Sequence, residues 1–222
     1  MPPRPKPSLF GGAVEQAFSR FLRRVPKQSR SRALVGAIVQ ALDEELTTGA
    51  SIDDVTVESL SERAGVGIGS FYEYFAGKDS LLGALVGRLT ERNFEHLSAR
   101  LDAEADDLET LVRLVAREIA ETYVAHPQRM KVVVHAIGRL GLIAIVGRER
   151  DRFAALMTVR GRTFVPDDPA RLERTMQLIA DGAMGIVVSA LDRDPPNDVE
   201  QVAREVADLG MGLLTRRHLD SS

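Results

Sequence analysis

A chain of 222 residues without cysteine excludes a disulfide framework, a thiolate metal site and a cysteine nucleophile. The net charge of −3 hides an asymmetry: residues 1–32 carry eight basic side chains (Arg4, Lys6, Arg20, Arg23, Arg24, Lys27, Arg30, Arg32) against Glu15 alone, so the remainder is acidic. The most apolar run, Leu140 to Gly147, has Arg139 and Arg148 at its edges and is far shorter than the ~20 residues of a spanning helix; with no apolar leader core either, the expectation is a cytoplasmic protein that does not enter a membrane.

Met1 to Pro7 is proline-rich and reads as extended or disordered. Ala13 to Arg24 can form a short helix with Val14, Ala17, Phe18, Phe21 and Leu22 along one side; it can dock on the body, reach along a polyanion, or stay loose. Ser31 to Leu46 is an amphipathic helix with Leu34, Ala37, Ile38, Ala41, Leu42 and Leu46 on its apolar face. Thr56 is placed to cap the next helix, whose buried face is Val57, Leu60 and Ala64. Gly65 then ends it by accepting positive φ. Phe71 and Phe75, four apart, give a further short helix one buried face and leave Ile68, Ser70, Tyr72 and Tyr74 near its exposed side. Gly77 breaks the chain, and Lys78 opens a long amphipathic run to about Leu101. Helix, tight turn and helix make a helix-turn-helix, whose second helix enters the DNA major groove.

Beyond it the pattern predicts helices over Leu108 to Ala125, Arg129 to Ile137, Ile145 to Arg160, Ala170 to Leu191 and Asp198 to Arg217, with a loop from Arg162 to Pro169 and a break at Arg193–Pro196. No alternation of strand type competes, so the fold class is all-α. Apolar stripes mark the last two helices: Leu172, Met176, Ile179, Ala183 and Ile186 on one, Val199, Val202, Val206, Leu209 and Leu213 on the other. At least part of each stripe must serve the chain's own core.

Ala64-Gly65-Val66, Gly69-Ser70-Phe71-Tyr72-x-Tyr74-Phe75 and Gly77-Lys78-Asp79-x-Leu81-Leu82, with the preceding helix from Arg30, resemble the tetracycline-repressor (TetR) family over roughly residues 28–87. The resemblance implies a helix-turn-helix domain over 28–77 and a larger helical ligand-binding and dimerisation domain over 78–222; residues 1–27 are a basic, Pro- and Arg-containing extension outside the usual family core. It implies phosphate contacts from Arg30, Arg32, Thr56, Tyr72, Tyr74 and Lys78, and base contacts from Gly67, Ile68, Gly69 and Ser70. This division suits hydroxyls and cations that position, and short side chains that let a helix approach base edges. It also implies a homodimer built through Met176, Ile179, Ala183, Ile186, Val202, Val206, Leu209 and Leu213. The implied function is a repressor on a palindromic operator, released by a small molecule. Tyr123, Met130, His135, Met157 and Met184 are candidate ligand contacts, their aliphatic company pointing to an apolar or amphipathic effector; each also reads as ordinary core packing.

The recognition helix is unusual in having no arginine or lysine before Lys78. Residues 43–79 hold nine acids against Arg63 and Lys78. Glu73 can accept from cytosine N4 or point into solvent, and solvent is preferred. The basic arm is then expected to supply phosphate attraction that the motif lacks. The acidity also leaves room for a dimeric adaptor without specific DNA binding. Enzyme readings fail: Gly65-Val66-Gly67-Ile68-Gly69-Ser70 has serine where a dinucleotide fingerprint needs its third glycine and no strand before it. The four histidines, His96, His126, His135 and His218, form no HExxH pair, so neither a metal site nor a cofactor is expected.

Overall fold

The computed structural model describes residues 18–104, 106–165, 169–193 and 198–219. Among the described residues there are helices and no strand: α1 Ser29–Thr47, α2 Val57–Ala64, α3 Ile68–Tyr74, α4 Lys78–Glu104, α5 Leu108–Val124, α6 Pro127–Arg139, α7 Ile143–Gly161, α8 Pro169–Asp192 and α9 Val199–Leu219. The fold class is all-α, as the periodicity predicts. The extended reading of Met1–Pro7, the first part of the Ala13–Arg24 helix and the Asp194–Pro196 break lie outside the described residues. No single helix among the described residues is long and apolar enough to cross a membrane.

The chain divides into two compact units. The first takes residues up to Arg92 together with Lys131–Ile145. Its helix boundaries follow from local chemistry. Thr56 Oγ1 accepts from the Ser59 N–H at 3.0 Å and Ser59 Oγ accepts from the Thr56 N–H at 3.2 Å, a reciprocal cap that starts α2. Gly65 ends α2 at φ 66°, ψ 34°, the left-handed region that glycine enters without a Cβ penalty. Helix α1 is fixed on α4 by two arginines. Arg88 donates to the Gly36 carbonyl at 2.8 Å and to Gln40 Oε1 at 2.6 Å, and Arg92 approaches the buried Asp43 carboxylate at 3.5 Å. Burial holds the Arg88 guanidinium below its ordinary pKa. Val35, Ile38, Leu42, Leu46, Leu60, Phe71, Phe75, Leu81, Leu82 and Leu85 form the apolar centre. At the α6–α7 corner, Gly141 adopts φ 65°, and Arg139 pairs with Asp79 at the start of α4 at 2.8 Å.

The second unit takes Asn93–Met130 and the chain from Val146 on. Asp107 caps α5 by accepting from the Thr110 N–H at 2.7 Å, which draws the carboxyl below its usual pKa range. Helix α9 packs chiefly on α5 and α8. Small residues let the backbones approach: a Cβ on Gly182 would meet Leu209 Cδ2 at 2.5 Å, and one on Gly210 would meet Val112 Cγ1 at 2.9 Å. On α4 and α7, Phe94 and Phe153 meet edge to face at 5.1 Å, with the Arg152 guanidinium 3.5 Å from the Phe94 ring centre.

Gly65→Ala tests the turn alone, because no atom lies within 4 Å of the added Cβ. The cost is then conformational, about 1–2 kcal/mol for a left-handed non-glycine residue, and urea unfolding should show that loss with an unchanged m-value.

Candidate nucleic-acid interface

The expected base-reading edge is open. Gly67, Ile68 and Gly69 are exposed, Ile68 by 43%, and nothing lies within 4 Å of a Cβ built on either glycine. Ser70 is half-buried, its N–H donating to the Gly67 carbonyl at 2.9 Å in the first turn of α3. Phe71 and Phe75 are fully buried and hold the other side of the helix, their rings 5.5 Å apart. Tyr72 is 45% exposed. Tyr74, expected near the exposed side, is instead buried. Ser61, outside the Val57, Leu60 and Ala64 face that periodicity assigns to the core, is buried too, and its hydroxyl has no hydrogen-bond partner. Both deviations occur on helices of eight residues or fewer, where neighbours at each end decide exposure as much as periodicity does.

The expected phosphate-contacting groups differ in exposure and engagement. Thr56 is exposed, and its hydroxyl oxygen already accepts the capping bond to Ser59. Arg30 is exposed, while Arg32 is half-buried and donates to the Lys27 carbonyl at 2.8 Å. Lys78 is turned inward: its ammonium donates to the carbonyls of Ile52 at 2.9 Å, Asp53 at 3.3 Å and Val55 at 3.1 Å. An ammonium has three donors, and all three go to the loop that delivers Thr56 to the start of α2.

Periodicity did not reveal what closes the far end of α3. The main-chain N–H of Arg23 donates to the Tyr74 carbonyl at 2.8 Å, and its guanidinium donates to the Tyr72 carbonyl at 3.1 Å. Arg24 pairs with Glu73 at 2.7 Å, so Glu73 is ion-paired rather than simply solvated. The segment carrying these arginines is seated by Phe18 and Phe21 on Gly87 and Gly83 of α4. A sequence signal existed: two glycines four apart in the otherwise aliphatic stretch Leu81–Gly87, with two phenylalanines three apart upstream.

The other candidate residues divide between the units. Tyr123, Met130, Met157 and Met184 all belong to the second unit, on α5, α6, α7 and α8, whereas His135 is exposed and belongs to the first. Met130 and Met157 are buried, and burial pushes the Tyr123 phenol above its ordinary pKa. Of the two stripes, Met176, Ala183, Val202 and Val206 are buried within their own chain, while Ile179, Ile186, Leu209 and Leu213 are half-buried.

Residues 45–85 match the family model of bacterial regulatory proteins, tetR family. A TetR-family transcriptional regulator from Streptomyces coelicolor has a crystal structure similar to this one, with a TM-score of 0.62 at 26% identity over 84% of this chain and 98% of that one. Residues 45–85 thus carry the DNA-binding region of the TetR family, and the helical fold around them is similar to that of a TetR-family regulator. A TetR transcriptional regulator from Rhodococcus sp. RHA1 shares the fold at 17% identity, with a TM-score of 0.59 over 84% of this chain and 98% of that chain. An HTH-type transcriptional repressor of Mycobacterium tuberculosis strain H37Rv is 34% identical over 83 residues, 37% of this chain and 31% of the repressor. That similarity spans about a third of the relative's length. All three are transcriptional regulators rather than enzymes.

Lys78→Met keeps the aliphatic stem but leaves the Ile52, Asp53 and Val55 carbonyls without the donor. Partly buried carbonyls left unpaired cost about 1–3 kcal/mol. The variant should unfold at correspondingly lower urea, with faster amide exchange across residues 51–60; wild-type values would show that the loop holds itself.

Proposed function

We propose that the protein is a cytoplasmic, homodimeric transcriptional repressor that reads a palindromic duplex operator with α3 and is released by an apolar or amphipathic small molecule. The observation that carries the reading is the open Gly67–Ile68–Gly69 edge, set on a capped helix-turn-helix whose residues match the model of this family. Short side chains there suit close approach of a helix to base edges, and Ile68 suits a thymine methyl. Arg30, Arg32, Thr56, Tyr72, Tyr74 and Lys78 are assigned to the DNA backbone. Tyr74 would act through its phenolic end and Lys78 through the loop it holds.

The dimer is assigned to α8 and α9. In support, Leu178 and Val188 on α8 are 47% and 43% exposed, beside Ile179, Ile186, Leu209 and Leu213, which the chain's own core leaves half-covered. Two-fold symmetry would present two copies of α3 to half-sites ~34–36 Å apart. The effector is assigned to the second unit, against Tyr123, Met130, Met157 and Met184, because thioethers and a desolvated phenol among aliphatics suit an apolar ligand. Release would require ligand and DNA affinities to be reciprocally coupled.

Selection of bound duplexes from a random pool at two salt concentrations tests this function. The expected result is an enriched palindrome with half-sites one helical turn apart. No enrichment at low salt, from folded and dimeric protein, favours the adaptor that does not read DNA. On the selected operator, deleting residues 1–27 should weaken binding and flatten its salt dependence, by about 0.9 in the log–log slope for each phosphate that the shortened chain no longer neutralises. An unchanged slope would remove the arm from the phosphate interface.

A further inference from the structure

Resting on the reading of α3 as the DNA-contacting helix, we propose that the Phe18–Arg24 segment is a positioning clamp for that helix, distinct from any charge the arm offers to phosphates. Helix α3 has seven residues, too few to persist without tertiary support, and the last four carbonyls of any helix lack intrahelical partners. Two of those carbonyls are closed from outside. The Arg23 N–H takes Tyr74 and the Arg23 guanidinium takes Tyr72, 49 residues away. Arg24 adds its ion pair to Glu73 on the same turn.

The anchor of this cap is apolar. Phe18 is fully buried, and Leu22 and Pro26 are buried with it. A Cβ on Gly87 would lie 2.5 Å from Phe18 Cγ, and one on Gly83 would lie 2.4 Å from Phe21 Cγ, so the rings rest on bare backbone of α4. The two rings stand 6.3 Å apart, spaced to take successive turns of one helix face. Arg20 lies 4.8 Å from the Phe21 ring centre and donates to the Leu140 carbonyl at 3.3 Å, tying the segment to the α6–α7 corner as well. One short stretch therefore joins α4, the corner and the carbonyl end of α3, within a single compact unit.

A clamp and a charge source differ in what they change. A source of phosphate attraction sets the salt slope; a clamp sets the pose of α3 and leaves the slope alone. The F18S/F21S variant of the full chain keeps every arginine and lysine, and Gly87→Leu evicts Phe18 without altering the extension. Amide exchange in the DNA-free protein is the first readout. Residues 71–76 should exchange about tenfold faster in both variants while α1 and α5 keep their protection. Duplex binding is the second, with affinity for the selected operator falling about tenfold at an unchanged salt slope.

Unaltered exchange at 71–76 in either variant would overturn the clamp, as would an affinity loss that flattens the slope like the arm deletion. Loss of cooperative unfolding across the whole first unit would also overturn it, making the phenylalanines ordinary core. If the wild-type protein binds no duplex, the DNA reading fails, and the exchange arm still decides whether α3 is clamped.

Discussion

The ammonium of Lys78 is the point on which the motif's geometry depends. A helix-turn-helix needs its first helix started at a fixed place, and that place is set by the loop from Ser51 to Val55. By donating to three carbonyls of this loop, the first residue of α4 fixes where Thr56 stands, and Thr56 in turn caps α2. Gly65 then turns the chain by a single left-handed residue. Phe71 and Phe75, both fully buried, seat α3 on α2 and α1, and the alignment of α1 on α4 rests on Arg88 and Arg92. The order is hierarchical: one cation orders a loop, the loop starts a helix, and the helix and its turn aim the next.

Magnitudes decide how the N-terminal segment is held. The Arg24–Glu73 pair is 69% and 44% exposed at its two side chains, and exposed pairs contribute only about 0–1 kcal/mol. Fully burying one phenylalanine contributes about 1.5–3 kcal/mol, and Phe18 is fully buried. The phenylalanines therefore fix the segment, and the arginines act as caps whose position is already determined. This changes the meaning of the acidic motif. Glu73 lowers the local potential less than its charge suggests, because Arg24 stands 2.7 Å away.

Much of this was legible in the sequence, for identifiable reasons. Thr56 and Gly65 mark helix ends because capping and backbone preference are local physics, and the structure ends α2 at both of them. The Phe71–Phe75 face was legible because four-residue spacing on a helix is a strong constraint. The burial of Tyr74 and the engagement of Glu73 were not, since both lie on the turn met by a segment 49 residues upstream. Lys78 illustrates a different limit: the residue type announces a cation but not whether it turns toward solvent or toward carbonyls. On α8 and α9 the apolar stripes announced burial without saying against what, and Met176, Ala183, Val202 and Val206 bury themselves in their own chain.

The seating of two rings on Gly83 and Gly87 carries a consequence for how this chain can drift. Neither glycine is held by its backbone angles; each is held by a ring more than sixty positions earlier, which leaves no volume for a methyl group. The two pairs are thus bound to change together. A descendant that loses the phenylalanines is released to fill both notches with alanine or leucine, the better helix formers. A descendant that fills a notch first displaces its own N-terminal segment. Glycine four apart at this point of the long helix, met with aromatic residues three apart upstream, is therefore a paired signature by which chains built this way can be recognised.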